Sequence, residues 1–369
     1  MPPSLSAQAV ERRAAELHAR AIVIDCHSDL LMPIADGYAR LADDLPVPDP
    51  AAWRSPLELP EGSPKRREWP FGGAASCIGQ YTLPKFAAGG LTAEVCAVFV
   101  EDERLDRALK RSLEMVWWFH RELEENRERI ELVTTAADIR RLKSQGKCGA
   151  VLALEGFEPL GVDLRLLDLF HRLGVRMGGL AHNRRSAWCD GTQHHVASGG
   201  LTSLGKQAVK RMNELGIIVD IGHLTATGIW ETLEISTAPV VLSHRSPRQF
   251  FPLHPEDSPF HPAYDLSRGR ERLEALARNG GVFGVFFLGA KDVDDVVADI
   301  EYVIDLVGPD HVGLGSDLYG KAQAPRGLED MAGLPAITRA LVRRGHADET
   351  ILKVLGGNLL RVFEEVWQR

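Results

Sequence analysis

Residues 21–31 read AIVIDCHSDLL: four apolar residues run straight into Asp25, Cys26, His27, Ser28 and Asp29. In an extended strand, residues two apart face the same side, so His27 and Asp29 can project together from the strand end. An imidazole beside a carboxylate can hold a divalent metal, but a lone pair serves as readily as a structural hydrogen bond. The pattern then recurs. GAVLALEG (149–156) ends at Glu155, VRMGGLAHN (175–183) at His182 and Asn183, and GIIVDIGHLT (216–225) at His223. PVVLSHRS (239–246) ends at His244, and HVGLGSDLYG (311–320) at Asp317. Gathered in one place, the carboxylates of Asp29, Glu155 and Asp317 repel one another unless a cation compensates them, and unpaired buried charge is costly. With His27, His223 and His244 they offer mixed nitrogen and oxygen ligation without soft sulfur, a set suited to zinc.

Other chemistry is poorly supported. Ser28 and Ser316 lack the flanking glycines of a nucleophile elbow. The glycines of GGLTSLG (199–205) lack a phosphate-loop spacing. His18, His120, His171 and His346 lie in helical or polar surroundings and are expected at the surface. His194, His195, His254 and His261 lie in loops near the ligand-bearing segments, where they could meet a substrate.

Those segments need a scaffold. Apolar runs at 21–26, 94–100, 148–154, 175–181, 216–221, 239–243, 281–287 and 311–315 read as strands, and helical periodicity fills most of the intervals. Eight β-plus-α units predict a closed parallel (β/α)8 barrel, whose active site lies at the carboxyl ends of the strands. Two stretches rich in proline and charge, 43–80 and 245–265, read as long βα-loop insertions over that mouth. Residues 334–368 read as closing helices, with Gly-Gly-Asn at 356–358 as a stop between two of them. Residues 1–369 are read as one domain.

Composition removes several function classes. The net charge of -8 argues against a nucleic-acid partner. The five cysteines are scattered and odd in number, so neither a disulfide framework nor a cysteine zinc site is expected. No apolar run reaches the ~18 residues needed to cross a bilayer, and the N-terminal residues lack a signal core. A cytoplasmic enzyme with a small-molecule substrate is expected, without a membrane partner. A homodimer is compatible with the sequence, which does not specify one.

The motifs resemble those of the membrane (renal) dipeptidase family, peptidase family M19, of the amidohydrolase superfamily. The resemblance runs through DCHSDL (25–30), LPKFAAGGLTAEVCAVFV (83–100), LALEG (152–156), LAHNRRSAWCDG (180–191) and GLTSLGKQAVKRMNELGIIVDIGH (200–223). It continues through SHRS (243–246), VGLGSDLYG (312–320) and LGGNLLRVFEEV (355–366). It implies a dipeptidase barrel with two Zn2+ per chain and a hydroxide shared between them. His27 and Asp29 would bind one zinc, His223 and His244 the other, and Glu155 would bridge them. Asp317 would be the acid/base, and His182 would contact the scissile carbonyl. Dipeptides with a D-residue at the carboxyl end fall within what the resemblance implies.

The sequence also departs from the family pattern. Cys26 stands for a usual glycine, Ser28 for asparagine, and EGFEP (155–159) for a Gly-Gly-His segment. The Arg-Asn pair whose arginine holds the substrate carboxylate is missing from HPAYDLSRGRERL (261–273), so Arg268 or Arg270 is expected to take that contact. The departures keep open a different amide, ester or lactone substrate, and beyond it a non-catalytic ligand-binding barrel.

Overall fold

A computed structural model of the chain describes residues 6–45, 77–193, 199–254, 256, 266, 268–318 and 324–367. Among the described residues nine strands follow in chain order: β1 Ile24–Ser28, β2 Ala93–Phe99, β3 Ile130–Leu132, β4 Cys148–Glu155, β5 Val175–Gly179, β6 Ile218–Asp220, β7 Val241–Arg245, β8 Val282–Val285 and β9 Val312–Leu314. Every strand pairing is parallel, in the order β2-β1-β9-β8-β7-β6-β5-β4-β3, and a β2–β4 pairing closes the sheet on itself. The eight expected strands make this barrel, with their ends shifted by a few residues. The additional strand, β3, pairs with residues 148–150 of β4, and β5 pairs with residues 152–155. Because β2 occupies the other edge of β4 throughout, β3 and β5 share one edge in succession.

The alternation of each strand divides the core into two layers. Ile24, Cys26, Val95, Val151, Ala153, Ile218, Val241 and Val282 fill the barrel interior, where Leu359, Phe363 and Val366 of the helix Asn358–Trp367 join them as a plug. Leu152, Leu154, Val219, Leu242 and Phe283 pack outward against the surrounding helices. The expected stop at 356–358 is a kink that lets the plug approach β1: a Cβ on Gly356 would lie 2.5 Å from the Ile22 carbonyl oxygen. Helices are set by capping. Ser203–Leu215, for example, starts at Thr202, whose side chain accepts from the Gly205 amide, and ends at left-handed Gly216.

Residues 46–76, most of the first expected insertion, and residues 255 and 257–265, about half of the second, lie outside the described residues. The short helix Pro247–Phe250 opens the second insertion. All five cysteines are free and buried. His18 departs from expectation: it is buried, with hydrogen bonds to Thr338 Oγ1 (2.7 Å) and the Gly89 carbonyl (2.8 Å). Among the described residues, no helix is long and apolar enough to cross a membrane.

Candidate active site

Two interruptions in the ladder build the mouth of the barrel. The β1–β2 register slips between Asp25 and Ser28, and the β7–β8 register slips between Leu242 and Arg245. Each slip brackets a histidine, His27 or His244. An extra residue in a strand re-aims the side chains around it. With strict alternation Cys26 and His27 would face opposite sides; here Cys26 joins the interior core while His27 meets the polar cluster above it. Asp29 follows one residue beyond β1, and Glu155 is the last residue of β4.

The cluster centres on one oxygen. Glu155 Oε1 lies 2.9 Å from His223 Nε2, 3.6 Å from His27 Nε2, 3.7 Å from His244 Nε2 and 3.9 Å from His182 Nε2. Asp317 spans two of these rings, with Oδ1 3.9 Å from His27 Nε2 and Oδ2 3.9 Å from His244 Nε2. Three overlapping sets of ligand atoms result, each within 4.8 Å: His27, Asp29 and Glu155; Glu155, His223 and His244; His27, His244 and Asp317. The seven residues singled out at strand ends, the six candidate ligands and acid/base with His182, therefore converge. His182 packs its ring 4.2 Å from His223 and 4.4 Å from Phe99.

The donor set fits divalent metal. Among the described residues, His27 Nε2, Asp29 Oδ1, Glu155 Oε2 and Asp317 Oδ1 are buried without a hydrogen-bond partner. Each such atom costs about 1–3 kcal/mol in a dry site, so four clustered together fit the ligand set of a divalent cation. The histidine tautomers point the same way. His223 Nδ1 donates to Asn183 Oδ1 (3.1 Å), and His244 Nδ1 donates to Ser243 Oγ (2.8 Å), whose hydroxyl donates to Asp220 Oδ2 (2.6 Å). In neutral rings both Nε2 atoms then carry bare lone pairs, yet they face each other at 2.8 Å. A cation beside them relieves that opposition.

Burial controls the charges. It drives His27 and His182 down to about 3, with Arg184 adding to the effect on His182, and it drives His223 and His244 well below the usual range. These rings are neutral at physiological pH. Burial pushes Asp29 up to about 7, opposed by its hydrogen bond with Glu155 and helped by the charge of Glu101; burial also pushes Glu155 and Asp317 well above the carboxylate range, and the charge of Asp29 adds to both. Bound metal reverses that logic by favouring the ionised carboxylates.

Arg268 and Arg270 are not drawn into this arrangement by any contact described for them. Arg268 pairs with Glu271 and lies over Trp230, Arg270 pairs with Glu274, and each side chain is 59% exposed. The guanidinium whose field reaches His182, His223 and His244 belongs to Arg245, which donates to the Gly222 carbonyl (2.7 Å) and lies over Phe250. Sequence reasoning also passed over Asp220 and Ser243. The available signal was a lone carboxylate inside the apolar run GIIVDIG.

Comparison with known proteins follows the same line. Residues 11–369 match the family described as Membrane dipeptidase (Peptidase family M19). The dipeptidase tcpJ of Claviceps purpurea is 31% identical over 306 residues, covering 78% of this chain and 69% of that protein. Dipeptidase 3 of Rattus norvegicus is 31% identical over 303 residues, covering 79% of this chain and 59% of that protein. Among solved structures, the probable dipeptidase PvdM from Pseudomonas aeruginosa superimposes with a TM-score of 0.79 at 21% identity, covering 98% and 100% of the two chains. A metallo peptidase from Rhodobacter sphaeroides, liganded with a phosphinate mimic of the dipeptide L-Ala-D-Ala, gives 0.74 at 23% identity, covering 94% and 99%.

Proposed function

The chain belongs to the membrane dipeptidase family, peptidase family M19, and from that premise we propose that it hydrolyses the peptide bond of dipeptides at a centre of two zinc ions. The observation that carries the reading is the sharing of Glu155 between two ligand sets at the barrel mouth. His27 and Asp29 would hold one ion, His223 and His244 the other, and Glu155 belongs to both sets of ligand atoms. When bound, the metals supply Lewis-acid polarisation of a carbonyl and a water of lowered pKa.

The protein's own groups do the rest. Asp317 faces both halves of the centre; its carboxylate takes the proton released by the attacking water and returns it to the leaving amine. His182, held neutral by burial, keeps an N–H with which it steadies the developing charge on the carbonyl oxygen. The substrate carboxylate lies in the field of Arg245; a contact with Arg268 or Arg270 would first have to break their ion pairs with Glu271 or Glu274. The phosphinate mimic of L-Ala-D-Ala on the Rhodobacter protein supports including dipeptides with a D-residue at the carboxyl end.

The test is zinc analysis followed by a hydrolysis screen over L,L and L,D dipeptides, N-acylated amino acids and lactones. Two zinc equivalents, dipeptide turnover lost on chelation and regained with zinc are expected. Absence of bound divalent metal after incubation with zinc overturns the centre. Turnover confined to lactones or N-acyl substrates keeps the centre and replaces the substrate.

A further inference from the structure

Asp317 has φ +43, a left-handed backbone that an L-residue with a side chain adopts only under constraint. Its neighbours supply that constraint. The Asp317 amide donates to the His27 carbonyl at 3.2 Å. On one side, the Ser316 amide donates to Asp25 Oδ1 at 2.7 Å, and the Ser316 hydroxyl donates to Asp25 Oδ2. On the other, the Leu318 amide donates to the Tyr81 hydroxyl at 2.6 Å, and that hydroxyl lies 2.8 Å from Ser316 Oγ. The donors run in one direction: Tyr81 O–H to Ser316 Oγ, Ser316 O–H to Asp25. Three consecutive backbone amides, 316 to 318, are therefore fixed, two of them by side chains that are fully or almost fully buried.

The hydrogen bonds described for Asp25 and Tyr81 go to Ser316 and Leu318 rather than to the cluster's ligand atoms. Asp25 sits on β1, within the segment where the β1–β2 register slips, and in register with Leu314 of β9. Tyr81 comes from the segment just before the helix Leu83–Ala88. Through Ser316 and Leu318 both reach the two residues flanking Asp317.

We propose that Asp25 and Tyr81 are positioning residues, a buried cradle that holds the backbone of Asp317 left-handed so that its carboxylate spans His27 and His244. This rests on the reading of Asp317 as the acid/base. Without the Tyr81 hydroxyl, the Leu318 amide loses its acceptor and Ser316 loses a donor. Residues 316–318 can then relax toward ordinary φ, and the carboxylate turns away from the reacting atoms. Displacement of a proton-transfer group by about 1 Å is enough to slow turnover about 100-fold.

The experiment uses the zinc-loaded full chain. Tyr81→Phe is nearly isosteric and removes only the hydroxyl. It should lower kcat by about 10- to 100-fold, with KM and zinc content each within about twofold of wild type. Ser316→Ala, which leaves the Leu318–Tyr81 bond in place, should have a smaller effect in the same direction. Asp25→Asn is a second probe of the opposite arm, interpretable when its zinc content and thermal unfolding match wild type. If Tyr81→Phe keeps kcat within twofold, or loses kcat together with zinc or with a matching change in KM, the cradle is overturned. Asp317→Asn separates the two ideas. Wild-type kcat in that variant removes the acid/base reading itself, whatever Tyr81→Phe does.

Discussion

The two halves of the candidate centre are built differently. His223 and His244 each have their Nδ1 held by a side chain, Asn183 on one and Ser243 backed by Asp220 on the other. Asp220 is anchored in turn by the amides of Gly222 (2.9 Å) and Ser243 (3.0 Å). The His27 and Asp29 half carries two of the four orphaned atoms, and its orientation comes from the register slip in β1. One half is shaped by hydrogen bonds that exist without metal. The other is shaped by backbone, and two of its polar atoms, His27 Nε2 and Asp29 Oδ1, have no hydrogen-bond partner. Outer partners of this kind typically carry 10–100-fold of metal affinity, so the His223 and His244 half should fill first and hold its ion longest.

Changes at the shared residues erase that difference, and changes at the supports sharpen it. Glu155→Gln belongs to the first kind: it weakens both halves, and both zinc equivalents and dipeptide turnover should be lost together in metal analysis and assay. Asp317→Asn should leave both metals in place while kcat falls by ~10²–10⁴-fold, the usual worth of a general acid–base group. Asp220→Asn strikes one support only. It should weaken one zinc equivalent by ~10–100-fold and spare the other, read by competitive chelator titration.

The smallest effect concerns pH. Above about pH 7.5 the site histidines are neutral in both states: in the unfolded chain because an ordinary imidazole titrates near 6.5, in the folded chain because burial lowers it further. The carboxylates are the opposite case: Asp29 is raised to about 7, and Glu155 and Asp317 well above the usual carboxylate range. The folded metal-free protein thus holds protons that the unfolded chain has released, and its stability falls as pH rises from about 7.5 to about 8.5. Zinc replaces those protons. The gap in Tm between zinc-loaded and metal-free protein should widen across that window; a constant or narrowing gap would mean that the carboxylates are already ionised without metal.

The residues that converge in the candidate site were legible because each stands just past an apolar run, and a parallel barrel sends all its strand ends to one rim. Their supports were not, because Asp220 with Ser243 and Asp25 with Ser316 are partners 23 and 291 residues apart. No local pattern announces such a pair. The register slips were invisible for a related reason: a slip is a relation between two strands, and the alternation of β1 alone puts His27 on the wrong side. The short strand β3 is too brief to show a period. The arginines failed on exposure: proximity in sequence to the expected position said nothing of Glu271 and Glu274, which engage Arg268 and Arg270 on their own helix. His18 looked like a surface residue because a helix sequence does not reveal which neighbour covers it.

The closure of β1 on β9 sets an order of events during folding. The candidate ligands begin at His27, yet Asp25 pairs with Leu314, and the interior is plugged by residues 358–367. Contacts so distant in sequence form late, since loop closure must precede them. During synthesis, His27 and Asp29 emerge long before the strand that completes their surroundings. The candidate cluster is complete only once β9 is in place, so its assembly belongs to the last steps of folding.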